Sequence, residues 1–453
     1  LFAVAHLFSY DTATPEIYPL ALHDASSDLS PEYDSGFCFD RSLSPRCCSR
    51  PPPDFRIREP LSPTMNCIRA SIVLASVLVM SACGDAPADR LMKACPVVFE
   101  GDAARGFLSA GLQLEVLFDG LQIGEGPVWV PAQQRLLASN VAGNEMWSWS
   151  ERAGASVMLD ASGFTGFAPS YEGGVRGSNG AAIDANGDLI FCQHGDRRIA
   201  KLSLTDASVD KIQTVVSEFE GKRLNSPNDL TIAPNGDIYF SDPPYGFLDK
   251  VNSNPTEGKM IFVEEKRELS TAGIYRFRPA TGELALLSDV MPLPNGMALS
   301  PDGAYLYVNS SNMQKREMWR FSTKDGSGEV FYDGPFADDE KGWFDGLKMH
   351  ASGNVFTTGP GGVLVISPEG ERIATIQLPE EATNICFDED QSCLFVTTMA
   401  YVGRIYTLNG TSDRVAPSDV IGARAARQES GPPRPWVVRS RACAPTCAPS
   451  LAG

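Results

Sequence analysis

The chain has 453 residues, of which 43% are hydrophobic and 21% charged, and a formal net charge of −18 at pH 7. That length holds either two or three ordinary domains or one large domain built from repeats. The acidity excludes recognition of a phosphate backbone, which needs a basic footprint, and is compatible with a soluble protein or a cation site.

Residues 1–64 are rich in Ser, Pro and Asp, as in CFDRSLSPRCCSRPPPDF, and show no sustained period of 2 or 3.6. They are expected to be disordered, or to lie upstream of the natural start. Met65 opens MNCIRASIVLASVLVMSACGDAP, with a cation at Arg69, an apolar run from Ala70 to Met80 and small residues before Cys83. Residues 65–83 therefore read as an export signal, with an apolar run too short to span a bilayer. MSAC at Met80 to Cys83 resembles a bacterial lipoprotein box, with Met80 in place of the usual Leu. The expectation is an exported bacterial protein, either periplasmic or held at the membrane through a lipid on Cys83. A linker is expected over 84–111.

From about Leu112 to 410 the texture changes to short strands broken by Asn-Gly, Asp-Gly and Ser-Gly turns, as in AAIDANGDLIF, APNGDIYFSD, MALSPDGAYLYV and HASGNVFTTG. Each places a tight turn between two apolar runs, which is the pattern of an antiparallel hairpin. A third run often follows, for example GIYRFR, MWRFS and GVLVIS, so the expected unit is a meander of three or four strands. Helical periodicity is nearly absent, and the fold class is all-β.

A polar residue recurs ahead of the similar strands: Glu125, Asn179, Asn228, Asn295, Asp345 and Asn384, at intervals of 54, 49, 67, 50 and 39. The mean of about 52 is the length of one propeller blade. Six units predict a six-bladed β-propeller in which these positions converge on one axis, with LEVLFDG at 114–120 supplying the outer strand of the last blade. The insert at 250–270 accounts for the long third interval and is placed to shape a binding face. Beyond 410, the stretch to 453, ending ACAPTCAPSLAG, is expected to be a disordered tail.

Converging carboxylates and amides suit a hard cation such as calcium, although Asn before Gly is also ordinary turn chemistry. Of 11 cysteines only Cys192, Cys386 and Cys393 fall in the repeats, with no paired zinc spacing; Cys386 and Cys393 are either a hairpin disulfide or two buried thiols. Only His194 and His350 lie there too, which argues against a histidine-rich zinc centre. There is no G-x-S-x-G elbow, P-loop or dinucleotide fingerprint.

The segments GEGPVW, RLNSPNDL, GDIYFSDPPYG, LPNGMALSPDG, DGLKMHASGN and TTGPGGV occur in this order. With them the chain resembles the senescence-marker/gluconolactonase/regucalcin-like family of six-bladed calcium propellers over about 112–410. The resemblance implies a central metal site with Glu125, Asn295 and Asp345 as ligands and Asn228 as a fourth ligand or a substrate contact. Calcium is the implied cofactor, and magnesium or zinc also fits oxygen donors. Asn179 and Asn384 share the register and belong beside the channel. His194, in CQHGDRR, resembles the gluconolactonase-like branch and is a candidate substrate contact with Arg197 or Arg198, or only closes a turn. Tyr245 in DPPYG either lines a pocket or stiffens a turn.

The implied activity is calcium-assisted hydrolysis of a sugar lactone such as gluconolactone, with Asp345 as general base and Asn228 orienting the carbonyl. Two alternatives stand beside it: an organophosphate or ester hydrolase using the same cation, and a non-catalytic propeller stabilised by calcium. The implied partner is a small-molecule lactone, with no nucleic acid, and a membrane only through Cys83. Two departures from the regucalcin-like pattern bear on the substrate. Ser226 stands where those members carry an arginine that contacts sugar, and the region of Gly246 lacks their acidic contact.

Overall fold

The computed structural model describes residues 91–253, 259–337, 340 and 342–406. The expected upstream segment 1–64, the signal 65–83 with Cys83, and the tail 411–453 lie outside the described residues. Strands β1 (Met92–Phe99) and β2 (Gly111–Asp119) come first. Four separate antiparallel four-stranded sheets follow. The first holds β3 (Gly124–Val130), β4 (Arg135–Asn140), β5 (Glu145–Ser150) and β6 (Gly154–Leu159), and the second β7 (Ser178–Ile183), β8 (Leu189–Gln193), β9 (Arg198–Leu202) and β10 (Gln213–Val216). After a small hairpin of β11 (Glu218–Phe219) and β12 (Lys222–Arg223), the third holds β13 (Leu230–Ile232), β14 (Ile238–Asp242), β15 (Gly273–Arg278) and β16 (Glu283–Ser288). The fourth holds β17 (Pro294–Leu299), β18 (Tyr305–Ser310), β19 (Met318–Ser322) and β20 (Gly328–Tyr332).

The remaining strands are β21 (Leu347–Met349), β22 (Val355–Gly359), β23 (Gly362–Ile366), β24 (Arg372–Gln377), β25 (Ala382–Phe387), β26 (Cys393–Thr398) and β27 (Tyr401–Tyr406). They join β1 and β2 in one nine-stranded sheet, ordered β21-β22-β23-β24-β1-β2-β27-β26-β25. Within it β21 to β24 form a fifth meander. A sixth is formed by β25 to β27, with β2 as its outer strand, so the segment 114–120 takes the place predicted for it. The opening strands of successive meanders neighbour one another from β3 through β7, β13, β17 and β21 to β25, and β25 in turn neighbours β3.

The apolar runs explain this arrangement. Successive side chains of a strand point to opposite faces, and here both faces are buried. In β8, Phe191 packs with Val128, Leu137 and Ala200 toward the first meander, whereas Ile190 and Cys192 pack with Phe240 and Tyr275 of the third. In β14, Phe240 faces back to the second meander while Tyr239 joins Met297, Leu306 and Phe321 of the fourth. Further clusters sit between the fourth and fifth, the fifth and sixth, and the sixth and first meanders, where Trp129 stacks on Phe395 at 5.3 Å between ring centroids. Each fully buried large side chain contributes roughly 1.5–3 kcal/mol, so every junction is held by its own core.

One sequence expectation gives way and one open alternative is decided. The linker over 84–111 contains a strand: β1 pairs with β2 through Met92 to Pro96 and with β24 through Val97 to Phe99, and Cys95 is fully buried. Pro96, which argues against a strand, sits where β1 passes from one partner to the other, at the point least costly to the ladder. Cys386 and Cys393 are free buried thiols in one apolar cluster, because Cys386 stands opposite Phe395 in the ladder and Cys393 opposite Tyr406.

The glycine after a recurring polar residue is a packing position. A Cβ on Gly296 would overlap the backbone of Asp345 and Gly346 in the next meander. Gly296→Ala is expected to destabilise the fold by about 1–3 kcal/mol or more. Gly111→Ala, where a Cβ meets nothing within 4 Å, should stay within about 0.5 kcal/mol. Equal denaturant midpoints for the two variants would refute the assignment.

Candidate metal and active site

The six recurring residues lie where the opening strands depart from regular pairing. In β3 the register shifts between Glu125 and Val128, in β7 between Ser178 and Ala181, in β17 between Pro294 and Met297, and in β25 between Ala382 and Asn384. Each shift inserts one extra residue on the opening strand, a bulge of the kind that turns a side chain out of the ladder. In the third and fifth meanders pairing begins only at Leu230 and Leu347, so Asn228 and Asp345 precede their strands. Regular alternation would aim these polar groups into the apolar junctions; the bulges and late starts release them toward the axis.

The residue after each polar position controls how closely neighbours approach. A Cβ on Gly126 would overlap the Asn179 carbonyl, one on Gly180 the Asn228 and Asp229 backbone, and one on Gly346 the Asn384 side chain and Cα. The Gly180 amide donates to the Asn228 carbonyl at 2.7 Å, Gly296 to Asp345 at 3.1 Å and Gly346 to Thr383 at 2.8 Å. Asn-Gly and Asp-Gly at these positions are therefore close contacts between strands, not the hairpin turns that such pairs commonly mark.

Glu125, Asn179, His194, Asn228, Tyr245, Asn295, Ser311 and Asp345 line one cavity. A chain of amides runs along its floor. Asn179 Nδ2 donates to Asn228 Oδ1 at 2.9 Å, Asn228 Nδ2 to Asn295 Oδ1 at 2.6 Å, and Asn295 Nδ2 to Ser311 Oγ at 2.8 Å. His194 Nε2 also faces Asn228 Oδ1 at 3.1 Å. On the other side Asn384 Nδ2 donates to Glu125 Oε2 at 2.9 Å. Asp345 Oδ1 is buried and has no hydrogen-bond partner.

The electrostatics of this floor are unbalanced. Burial pushes Glu125 up to about 7, against the hydrogen bonds from Asn384 and the Gly126 amide. Asp345 is raised well above the carboxylate range by burial and then by the charge of Glu125. A third buried carboxylate, Asp229, is raised by burial and pulled down by Lys348, whose Nζ lies 3.7 Å from its Oδ2. Glu125 and Asp345 thus make no ion pair among the described residues, although the Lys348 charge also pulls Glu125 down.

Two buried carboxylates with an orphaned oxygen, beside Asn oxygens, fit a divalent cation bound by hard donors. Among the described residues no group of three or more His, Cys, Asp or Glu side chains is arranged to hold a metal; the donor set here needs two amides beside two acids. Asn295 Oδ1 keeps a lone pair for such a role, whereas Asn228 Oδ1 is already shared between Asn179 and His194.

Other expected contacts divide. Tyr245 lines the cavity and its buried hydroxyl has no partner. His194 lines it too, its pKa pushed down to about 4 by burial, so the ring is neutral near pH 7. Arg197 does not reach the cavity, which corrects the expectation of a substrate contact. Its Nε donates to the Leu224 carbonyl at 2.7 Å, its Nη1 pairs with Glu268 at 3.1 Å, and the guanidinium lies over the Phe247 ring. Arg198 is likewise engaged by Gln193, Thr214 and Asp196. Ser226 ties down a turn, donating to the Pro243 carbonyl at 2.6 Å and accepting from the Gly246 amide at 2.8 Å. It thereby holds the segment that carries Tyr245.

Sequence reasoning missed Ser311, Trp343 and the Asp229–Lys348 pair. The signal for Asp229 was available, since it occupies the register position that holds glycine after four of the six polar residues.

Residues 123–400 match the family model described as SMP-30/Gluconolactonase/LRE-like region. A gluconolactonase of Zymomonas mobilis is 32% identical over 310 residues, 66% of this chain and 83% of the relative. A regucalcin of Xenopus laevis is 23% identical over 290 residues, 62% of this chain and 85% of that one. Among solved structures, a gluconolactonase from Xanthomonas campestris superposes with a TM-score of 0.57 at 30% identity, covering 71% of this chain and 96% of that one. A luciferin-regenerating enzyme, 15% identical with a TM-score of 0.50 over 66% of this chain and 96% of its own, shares the fold. The matched span contains the first five meanders and strands β25 and β26 of the sixth, together with every residue of the cavity floor, and the chain belongs to the SMP-30/gluconolactonase/LRE-like family.

Proposed function

We propose that the protein hydrolyses lactones at this floor, that the six meanders are the blades of a six-bladed β-propeller, and that a divalent cation, calcium first, sits on its axis. The observation that supports the reading most directly is the uncompensated buried pair Glu125 and Asp345 at the base of a cavity. Glu125, Asn295 and Asp345 would hold the cation, and Asn228 would join as a fourth donor by sharing its oxygen. When bound, such a cation polarises the lactone carbonyl as a Lewis acid.

The remaining chemistry belongs to side chains. Asp345, whose Oδ1 has no other partner, takes a proton from water as the water oxygen adds to the carbonyl carbon. The ring C–O bond then breaks, and the same proton passes to the departing ring oxygen, which leaves an open hydroxy acid. Neutral His194 fixes the Asn228 amide, and the Tyr245 hydroxyl is free to donate to the substrate. Gluconolactone is the first substrate to test, since the Zymomonas mobilis and Xanthomonas campestris relatives described above are gluconolactonases.

A lactone and ester panel, run on metal-stripped and calcium-restored protein, tests the reading. Calcium-dependent ring opening is expected, and Asp345→Asn should lower kcat by about 10²–10⁴-fold with the fold retained. A variant that loses calcium affinity and melting temperature, in a protein that opens no lactone, would instead favour a purely structural metal. Faster turnover of esters or organophosphates than of any lactone would move the substrate class.

Burial of Glu125 also has a stability consequence. With a folded pKa near 7 against an ordinary 4.5, the metal-free protein loses stability as pH rises through that window. His194, depressed to about 4, acts oppositely as pH falls from 6.5, so the Glu125 contribution is read as a difference between variants. Without metal, Glu125→Gln should melt above wild type at pH 7.5 and match it near pH 4.5; with calcium the order at pH 7.5 should reverse. Parallel melting curves at both pH values would contradict a metal role for Glu125.

Export through residues 65–83 and lipidation of Cys83 remain proposals from the sequence. Intact mass of the protein recovered from a bacterial envelope should show a chain beginning at Cys83 with an added lipid, and an unmodified mature terminus would rule the anchor out.

A further inference from the structure

Above the polar floor the cavity wall changes character. Val141, Val175 and Leu248 are buried in it, and Met260, Met313 and Trp343 are half-buried around them. Among the described residues no Arg or Lys lines the cavity. The positions from which a sugar's hydroxyls were expected to be held are otherwise occupied: Ser226 fastens the Pro243–Gly246 turn, and Arg197 is spent on Leu224, Arg223 and Glu268. The amides of Asn179, Asn228 and Asn295 are engaged with one another. The unpartnered Asn179 Oδ1 and Tyr245 hydroxyl belong with this floor, where the lactone's own ring and carbonyl oxygens must sit. A polyhydroxylated ring would therefore press several hydroxyls against aliphatic wall without partners, a burial that is unfavourable for each one.

The wall does not end at the rim. A second cavity shares Met260 and Met313 with the first and continues along Phe262, Val290, Pro292 and Leu293 on one side, while Ser270, Thr271, Asp289, Asn312, Gln314 and the Arg267–Glu264 ion pair make its other side polar. Methionine side chains are unbranched and adapt to varied apolar shapes. Two of them therefore form a yielding boundary between a polar reaction floor and a recess that is apolar along one side. The recess is lined from residues 260–272 ahead of β15, from the approach to β17 and from 312–314 after β18, the first two of which fall in the longest interval of the repeat.

We propose that the preferred substrate is a lactone bearing an alkyl chain, its ring on the Glu125–Asp345 floor and its chain passing between Met260 and Met313 into the second cavity. This rests on the lactone-hydrolase reading and narrows it away from sugar lactones.

The test compares kcat/KM of the calcium-loaded full chain for glucono-δ-lactone, δ-valerolactone, δ-hexalactone, δ-decalactone and δ-dodecalactone. In wild type the value should climb with chain length, up to roughly fourfold per buried methylene, and δ-decalactone should exceed gluconolactone. In the Met260→Gln/Met313→Gln double variant, which keeps side-chain length and adds polarity, the ratio of δ-decalactone to δ-valerolactone should fall by at least tenfold, with thermal melting used to confirm the fold. Gluconolactone turned over faster than every alkyl lactone, or a chain-length ratio unchanged in the double variant, overturns this inference and leaves lactone hydrolysis standing. Failure to open any lactone overturns the underlying reading, and this one falls with it.

Discussion

Close approach of the opening strands around the axis is the contact on which the rest of the molecule depends. Gly126, Gly180, Gly296 and Gly346 each lie against the neighbouring meander so tightly that a single methyl would overlap its backbone or a floor side chain. Backbone hydrogen bonds from Gly180, Gly296 and Gly346 then fasten one meander to the next. Where the ring closes, the Thr383 hydroxyl of the sixth meander donates to the Gly124 carbonyl of the first. Apolar junctions farther out supply most of the burial energy, but it is the absent side chains at the centre that let six polar residues meet.

That meeting carries an electrostatic cost which the fold does not remove. Glu125, Asp229 and Asp345 are all buried, and Lys348 lies close to Asp229 alone, reaching Glu125 only as a more distant charge. Asn384 and the Gly126 amide partly compensate Glu125, while Asp345 Oδ1 is left with no hydrogen bond. Buried groups in such a state are uncommon in structural cores and frequent at functional sites. The amide chain from Asn179 to Ser311 gives the floor rigidity, because Asn228 and Asn295 are each held through both the oxygen and the nitrogen of the amide. Its order also means that a ligand reaching Asn228 competes with His194, so recognition and the hydrogen-bond network are coupled.

Much of the fold was legible because alternation with a period of two is strong when both faces of a strand are buried. AAIDANGDLIF and MALSPDGAYLYV read as hairpins, and β2 was foreseen as the outer strand of the last meander. β1 was not foreseen: Pro96 interrupts its run, and its partners lie about 20 residues away on one side and about 280 on the other. Glu125, Asn228, Asn295 and Asp345 were legible through their shared register, and the structure brings them to one floor. Arg197 was misjudged because proximity to His194 in sequence says nothing of direction; its guanidinium turns outward to Leu224 and Glu268. The apolar wall went unnoticed, since Val141, Met260, Met313 and Met399 come from separate meanders and loops and share no spacing.

By itself, the sequence determined an all-β repeat, its family and the residues that recur at the head of each unit, because these follow from local periodicity and turn chemistry. Only the tertiary structure decided what those residues face. Bulges and late strand starts turn them to the axis, and glycine contacts bring them within hydrogen-bonding distance. Loops distant in the chain decide whether the surroundings are polar or apolar. Direction and neighbourhood depend on contacts between units, and a one-dimensional pattern carries no record of them.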